Sequence, residues 1–158
     1  FELYEPLADE RGLSLQLDAE VSAPIIGDAE LLLEAIGNLV DNAFKHAPPR
    51  SVVVLAVAFK DGEVVLRVTD RGPGIAVADR KRVLQRFYRV EKSRTVNGNG
   101  LGLSLVAAIA GLHGFRLRID DARPGCIVDI ICDPVCSRGR GPMSVAIRDT
   151  GQADAAQA

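Results

Sequence analysis

Paired Val-rich strands set among apolar-striped helices predict a two-layer α/β sandwich, a mixed sheet covered on one face by helices, for this chain of 158 residues. Three stretches carry that reading. Leu32, Ile36, Leu39, Val40, Ala43 and Phe44 repeat at helical spacing. Ser51 to Phe59 and Val64 to Thr69 flank Asp61-Gly62, a hairpin turn signal. Phe115 to Ile119 and Ile127 to Ile131 read as a last strand pair, joined through Asp120 to Gly125.

In chain order, residues 2 to 11 predict a short helix ended by Gly12, and Leu13, Leu15 and Leu17 then alternate with polar residues as in a half-buried strand. The pair Ile25-Ile26 precedes Gly27-Asp28, and Asp28 is a suitable N-cap for the long helix that Pro48-Pro49 stops. After the hairpin, Gly72-Pro73-Gly74 breaks regular structure, residues 79 to 86 predict a short basic helix, and 91 to 100 a mobile loop. Leu101 to Leu112 is a second apolar-rich helix. The domain is expected to span residues 1–134, with 135–158 a largely disordered tail of Gly, Arg and small polar residues.

Composition sets outer limits. With 47% hydrophobic and 25% charged residues the chain is that of an ordinary globular domain, and no apolar run approaches the roughly 20 residues of a membrane helix. The opening Phe1, in place of Met, reads as the start of a fragment of something longer. A net charge of -2 supplies no global field for nucleic acid. It conceals a local excess, with Arg80, Lys81, Arg82, Arg86, Arg89, Lys92 and Arg94 set against Asp79 and Glu91. Cys126, Cys132 and Cys136 lack the paired spacing of a zinc site and read as free thiols.

The chemistry lies in three segments. Glu34, Asn38, Asn42 and Lys45, at steps of four, four and three residues, form a polar stripe opposite the apolar one. A plain solvated face would hold Glu, Lys and Gln, whereas Asn costs up to about 0.7 kcal/mol against Ala inside a helix. A neutral amide oxygen is a hard ligand, suited to Mg²⁺ that bridges substrate phosphates. Asp70-Arg71-Gly72-Pro73-Gly74 follows a strand directly, so Asp70 is either an ordinary turn residue or a fixed carboxylate able to accept an amino hydrogen bond. Gly98-Asn99-Gly100-Leu101-Gly102 opens a helix whose first N–H groups and dipole favour phosphate. It is neither a dinucleotide fingerprint nor a Walker loop.

Taken in order, these segments resemble the histidine kinase ATP-binding domain, of the superfamily shared with type II topoisomerases, mismatch-repair ATPases and heat-shock chaperones. Glu34 to His46 is similar to its N box, Asp70 to Gly74 to its first glycine box, Arg86-Phe87-Tyr88-Arg89 to its F box, and Gly98 to Ser104 to its second glycine box. Tyr4 to Ala8 and His113-Gly114 also resemble family features, although Phe115 stands where the family often has a second Gly.

The resemblance implies a Bergerat-type fold and binding of ATP with Mg²⁺. Asn38 and Asn42 would hold the metal, Lys45 would reach the phosphates, and His46 would lie against the nucleotide. Asp70 would take the adenine amino group in a purine pocket shaped by Gly72, Gly74 and Ile75. Phe87, Tyr88 and Arg89 would begin a lid, with the basic excess as a rim for a polyanion. Gly98, Gly100, Leu101, Gly102 and Leu103 would bring backbone donors to the triphosphate, and Glu34 would orient or deprotonate near the γ-phosphate.

The implied function is a sensor kinase's catalytic domain, whose γ-phosphate goes to a histidine on a separate dimerisation domain and then to a response regulator. Nothing in the sequence resembles that helical domain. The whole protein is expected to be a homodimer, membrane-anchored or not, with this domain in the cytoplasm, and to make no direct contact with nucleic acid. An anti-sigma-type protein-serine kinase and a non-catalytic nucleotide-binding module are the alternatives.

Overall fold

The computed structural model describes residues 1–19, 24–88 and 100–133. Helix α1 (Glu5–Glu10) ends at Gly12, whose φ of 64° suits a glycine and lets the chain turn into β1 (Ser14–Ala19). Helix α2 (Ala29–His46) opens on Asp28, whose Oδ1 accepts from the N–H groups of Glu30 and Leu31. It stops where Ala47 turns extended ahead of Pro48. Strands β2 (Val52–Lys60) and β3 (Glu63–Thr69) form the expected hairpin, with φ positive at both Asp61 and Gly62. Helix α3 (Gly102–Leu112), β4 (Arg116–Asp121) and β5 (Cys126–Cys132) complete the described part.

The sheet order is β1-β2-β3-β5-β4, with β1 and β2 parallel and the other neighbours antiparallel. A parallel pair needs a crossover, and α2 supplies it. Alternation turns Val53, Val64, Val68, Val128, Ile130 and Ile119 toward the helices, where they join Leu32, Leu39, Val40, Phe44, Val106 and Ile109 in one buried cluster. This is the two-layer mixed sandwich the patterning predicts. Phe115, in place of the family's usual Gly, stacks on His113 and packs at the edge of the core.

Two local expectations need correction. Leu17 remains 45% exposed, because β1 is an edge strand and α1 covers only its start. Residues 79 to 86 form consecutive turns instead of a helix, with bonds such as Arg82 N–H to the Asp79 carbonyl and Gln85 N–H to the Arg82 carbonyl. Val83 is the one buried apolar side chain of that run, too small an anchor to offset the cost of nucleating a helix. The expected mobile loop falls, apart from Gly100, outside the described residues, as do residue 134 and the 135–158 tail.

Candidate functional site

The polar stripe of α2 has a defined orientation. Asn38 Nδ2 donates to the Glu34 carbonyl at 2.9 Å, which engages one of its two amide hydrogens and leaves Oδ1 on the opposite side of the amide. There it meets α3: a Cβ on Gly102 would stand 3.4 Å from Asn38 Oδ1. The N-box stripe and the second glycine loop, distant in sequence, therefore share one gap. Asn42 and His46 are half-buried on the same helix, while the side chains of Glu34 and Lys45 are exposed.

Asp70 ends β3 with 8% of its surface exposed. Its Oδ1 accepts from Gly72 N–H at 2.7 Å and from Cys126 N–H at 3.3 Å, so among the described contacts Oδ2 is the oxygen left for a ligand. Burial pushes the Asp70 pKa above the ordinary carboxylate value, while the two N–H groups and nearby His46 work against that rise. Gly72 is required by closeness, since a Cβ there would come within 2.6 Å of the His46 carbonyl oxygen. Gly74 turns at φ 70°, and a Cβ on it would meet the Gly125 carbonyl at 2.9 Å. Ile75 packs against the core, and its carbonyl accepts from Arg80 Nε at 3.3 Å. The helix end, the first glycine loop and the β4–β5 turn thus converge on one carboxylate.

The described part of the second loop lies at the start of α3. Gly100 turns at φ 66° and accepts from Phe87 N–H at 3.2 Å, which brings the F box to the start of α3. No side chain caps that helix at Leu101, while Ser104 Oγ bonds back to the Leu101 carbonyl at 2.8 Å. Leu103 packs at the core margin. Tyr88 donates its hydroxyl to Asp79 at 2.7 Å under the Arg82 guanidinium. Arg89 and Gly98 lie outside the described residues.

The residues of the basic rim differ in role. Arg80 is a structural tie, donating to the carbonyls of Ile75 and Ile119 and to the Asp120 carboxylate. Arg82 covers Tyr88, while Lys81 and Arg86 are exposed. Of the cysteines, Cys126 and Cys132 are free and buried, and burial pushes both thiols up to about 12, so they are inert. Sequence reasoning did not find Gly125 or the Cys126 N–H, although Pro124-Gly125 at a strand turn is the signal that marks them.

Comparison with known proteins bears on the family and the fold. Residues 27–134 match the family model described as histidine kinase-, DNA gyrase B-, and HSP90-like ATPase. The sensor-like histidine kinase SenX3 of Mycolicibacterium smegmatis is 40% identical over 118 residues, covering 73% of this chain and 31% of SenX3. The chain therefore spans about a third of that relative's length. Among solved structures, the mycobacterial sensor histidine kinase MprB superposes with a TM-score of 0.72 at 31% identity, covering 84% of this chain and 90% of that one. Full-length ShkA in complex with AMPPNP superposes with a TM-score of 0.72 at 27% identity, covering 84% of this chain and 28% of ShkA.

Proposed function

From the premise that the chain belongs to the histidine kinase-, DNA gyrase B- and HSP90-like ATPase family, we propose that it is the Mg·ATP-binding catalytic domain of a two-component sensor histidine kinase. The observations that carry this reading are the Asn38 oxygen held beside Gly102 at the start of α3 and the buried Asp70 carboxylate under the first glycine loop, which the His46 carbonyl at the end of α2 approaches closely. Binding of ATP fits that arrangement, and the structurally similar ShkA forms a complex with the ATP analogue AMPPNP.

In this reading Asp70 Oδ2 accepts from the adenine amino group, while Gly72, Gly74 and Ile75 wall the purine. Adenine is preferred over guanine, because its exocyclic amino group can donate to Oδ2 whereas guanine presents a carbonyl oxygen there, which cannot donate. The first-turn N–H groups of Gly102 and Leu103, with Gly100 and Leu101 shaping the approach and Gly98 ahead of them, hold phosphate oxygens. Lys45 neutralises phosphate charge, His46 lies against the nucleotide, and Tyr88 and Arg89 begin the lid.

The donor set fits Mg²⁺. Asn38 and Asn42 offer neutral hard oxygens, and Asn38 is already turned to present its own. When bound, the metal would screen the phosphate charge that builds up during transfer. Glu34, exposed one turn before Asn38, orients or deprotonates the acceptor.

The acceptor is a histidine on a helical dimerisation domain of the full-length protein. Its nitrogen attacks the γ-phosphorus, the bond to the β–γ bridging oxygen breaks, and ADP leaves. A response regulator then receives the group. The domain occupies residues 1–134, within the cytoplasmic part of a dimeric protein. No helix among the described residues is long and apolar enough to cross a membrane.

Calorimetric titration with AMPPNP and Mg²⁺ tests the nucleotide assignment. Micromolar binding is expected, weakened about tenfold or more in Asp70→Asn, which places an amide near the adenine amino group. Absence of binding by the wild type, or unchanged affinity in the variant, rejects it.

A further inference from the structure

His113 closes α3, and its ring reaches the other helix of the site. Asp28 caps α2 with its carboxylate, while its own N–H donates to His113 Nε2 at 2.9 Å, a contact spanning 85 residues of sequence. Nδ1 of the same ring lies 2.8 Å from the Ile109 carbonyl oxygen. A backbone N–H can only donate and a carbonyl oxygen only accept, so the tautomer is fixed, with the proton on Nδ1 and the lone pair on Nε2. Phe115 stacks on the ring at 5.3 Å. Gly27 leaves it room, since a Cβ there would come 3.0 Å from His113 Cδ2 and 2.8 Å from Leu32 Cδ1.

The far end of α3 touches α2 as well, at Gly102 beside Asn38. The two helices run antiparallel, bonded at Asp28 and His113 and close together at Asn38 and Gly102. From Asp28 to Asn38 is ten residue steps and from Gly102 to His113 eleven. At about 1.5 Å per step the spans are roughly 15 and 16 Å, so the contacts match without distortion.

We propose that His113 is a positioning residue for the nucleotide site: its bond to the Asp28 N–H sets the register of α3 against α2, and so sets the start of α3 against the oxygens of Asn38 and Asn42. The role rests on the nucleotide reading given above. His113 touches no substrate, and it acts through the two helices that do. Neither the stripe of α2 nor the glycine loop alone fixes their separation.

Two substitutions separate the ring's two bonds. His113→Asn retains a donor near the Nδ1 position for the Ile109 carbonyl but does not reach Asp28. His113→Gln carries an oxygen out to the Nε2 position, where it can accept from the Asp28 N–H. Both are polar and local, and both are checked for folding by circular dichroism. In titrations with AMPPNP and Mg²⁺, His113→Gln is expected within about threefold of wild type and His113→Asn about tenfold weaker.

Without nucleotide, ¹⁵N spectra should show a protonated Nδ1 and an unprotonated Nε2 in the wild type. The Gly102 amide and the Asn38 side-chain amide should shift in His113→Asn and stay in place in His113→Gln. A merely stabilising histidine would not move resonances at the opposite end of α3. Equal affinities for the two variants, or wild-type Gly102 and Asn38 resonances in His113→Asn, overturns the proposal. Failure of the wild type to bind AMPPNP overturns the nucleotide reading instead, and the resonances then still report whether His113 sets the register.

Discussion

Gly125 adopts φ 121°, and a Cβ on it would collide with the Asp70 carbonyl oxygen. Both constraints act at one residue, because the β4–β5 turn lies directly on the strand end that carries Asp70. The next residue, Cys126, then donates its N–H to Asp70 Oδ1 and accepts the Asp70 N–H at 3.0 Å. Gly125→Ala is therefore expected to destabilise the fold by about 3 kcal/mol, combining backbone strain with a contact that cannot relax, as a shift in urea midpoint would show. A loss within about 0.5 kcal/mol, a size typical of surface changes, would mean that the turn does not buttress Asp70. Asp70 itself was legible in the sequence, since a carboxylate between a strand and GxG is a local pattern. Its support from Gly125 and Cys126 was not, because that contact depends on strand pairing between segments more than 50 residues apart.

Elements show the same contrast between local pattern and tertiary cause. Gly37 sits in the middle of α2, where glycine costs about 1 kcal/mol against Ala. The reason is α1's entry: Tyr4 lies on Gly37, with its hydroxyl where a Cβ would be and Cζ 3.4 Å from that point. Gly37→Ala should destabilise the wild type by about 1 kcal/mol yet become neutral or stabilising beside Tyr4→Phe, a coupling that a double-mutant cycle by thermal unfolding measures. The sheet's helix-free face has its own device. Arg67, Asp129 and Arg118 stand in register across β3, β5 and β4, and the two guanidinium groups grip Asp129 at 2.6 to 3.1 Å, leaving it fully buried. Burial works to raise the Asp129 pKa, but the hydrogen bonds and charges of Arg67 and Arg118 outweigh it and hold the carboxyl below its ordinary value of 3.8. A lowered folded-state pKa contributes stability that is full above the unfolded value and lost as pH falls through the folded one. Asp129→Asn should cost about 2 kcal/mol at pH 7, less than a deeply buried pair because both arginines reach water, and should flatten the decline in stability below pH 4. Urea unfolding at the two pH values measures both effects.

At the scale of the whole molecule, the two layers, with α3 alongside α2 and the first glycine loop against the end of α2, follow from the order of elements, and that order was readable. The hairpin at Asp61-Gly62 and the N-cap at Asp28 each stand where local chemistry puts them. The fate of the basic run was not readable, because charge alone does not tell Arg80, tied to β4, from the exposed Arg86. His113 is a similar case: its bond to Asp28 appears only once α3 lies along α2. One adenine nucleotide with Mg²⁺ is expected to bind between α2, the start of α3 and the first glycine loop, and not on the bare sheet face. The most direct test is ¹⁵N chemical-shift mapping during titration with AMPPNP and Mg²⁺. Large shifts are expected at the side-chain amides of Asn38 and Asn42 and at the backbone amides of Gly72, Gly102 and Cys126, with Ala56, Ala58 and Arg67 unmoved. Shifts centred on Ala56, Ala58 and Arg67, with Asn38 and Gly102 silent, would contradict that placement.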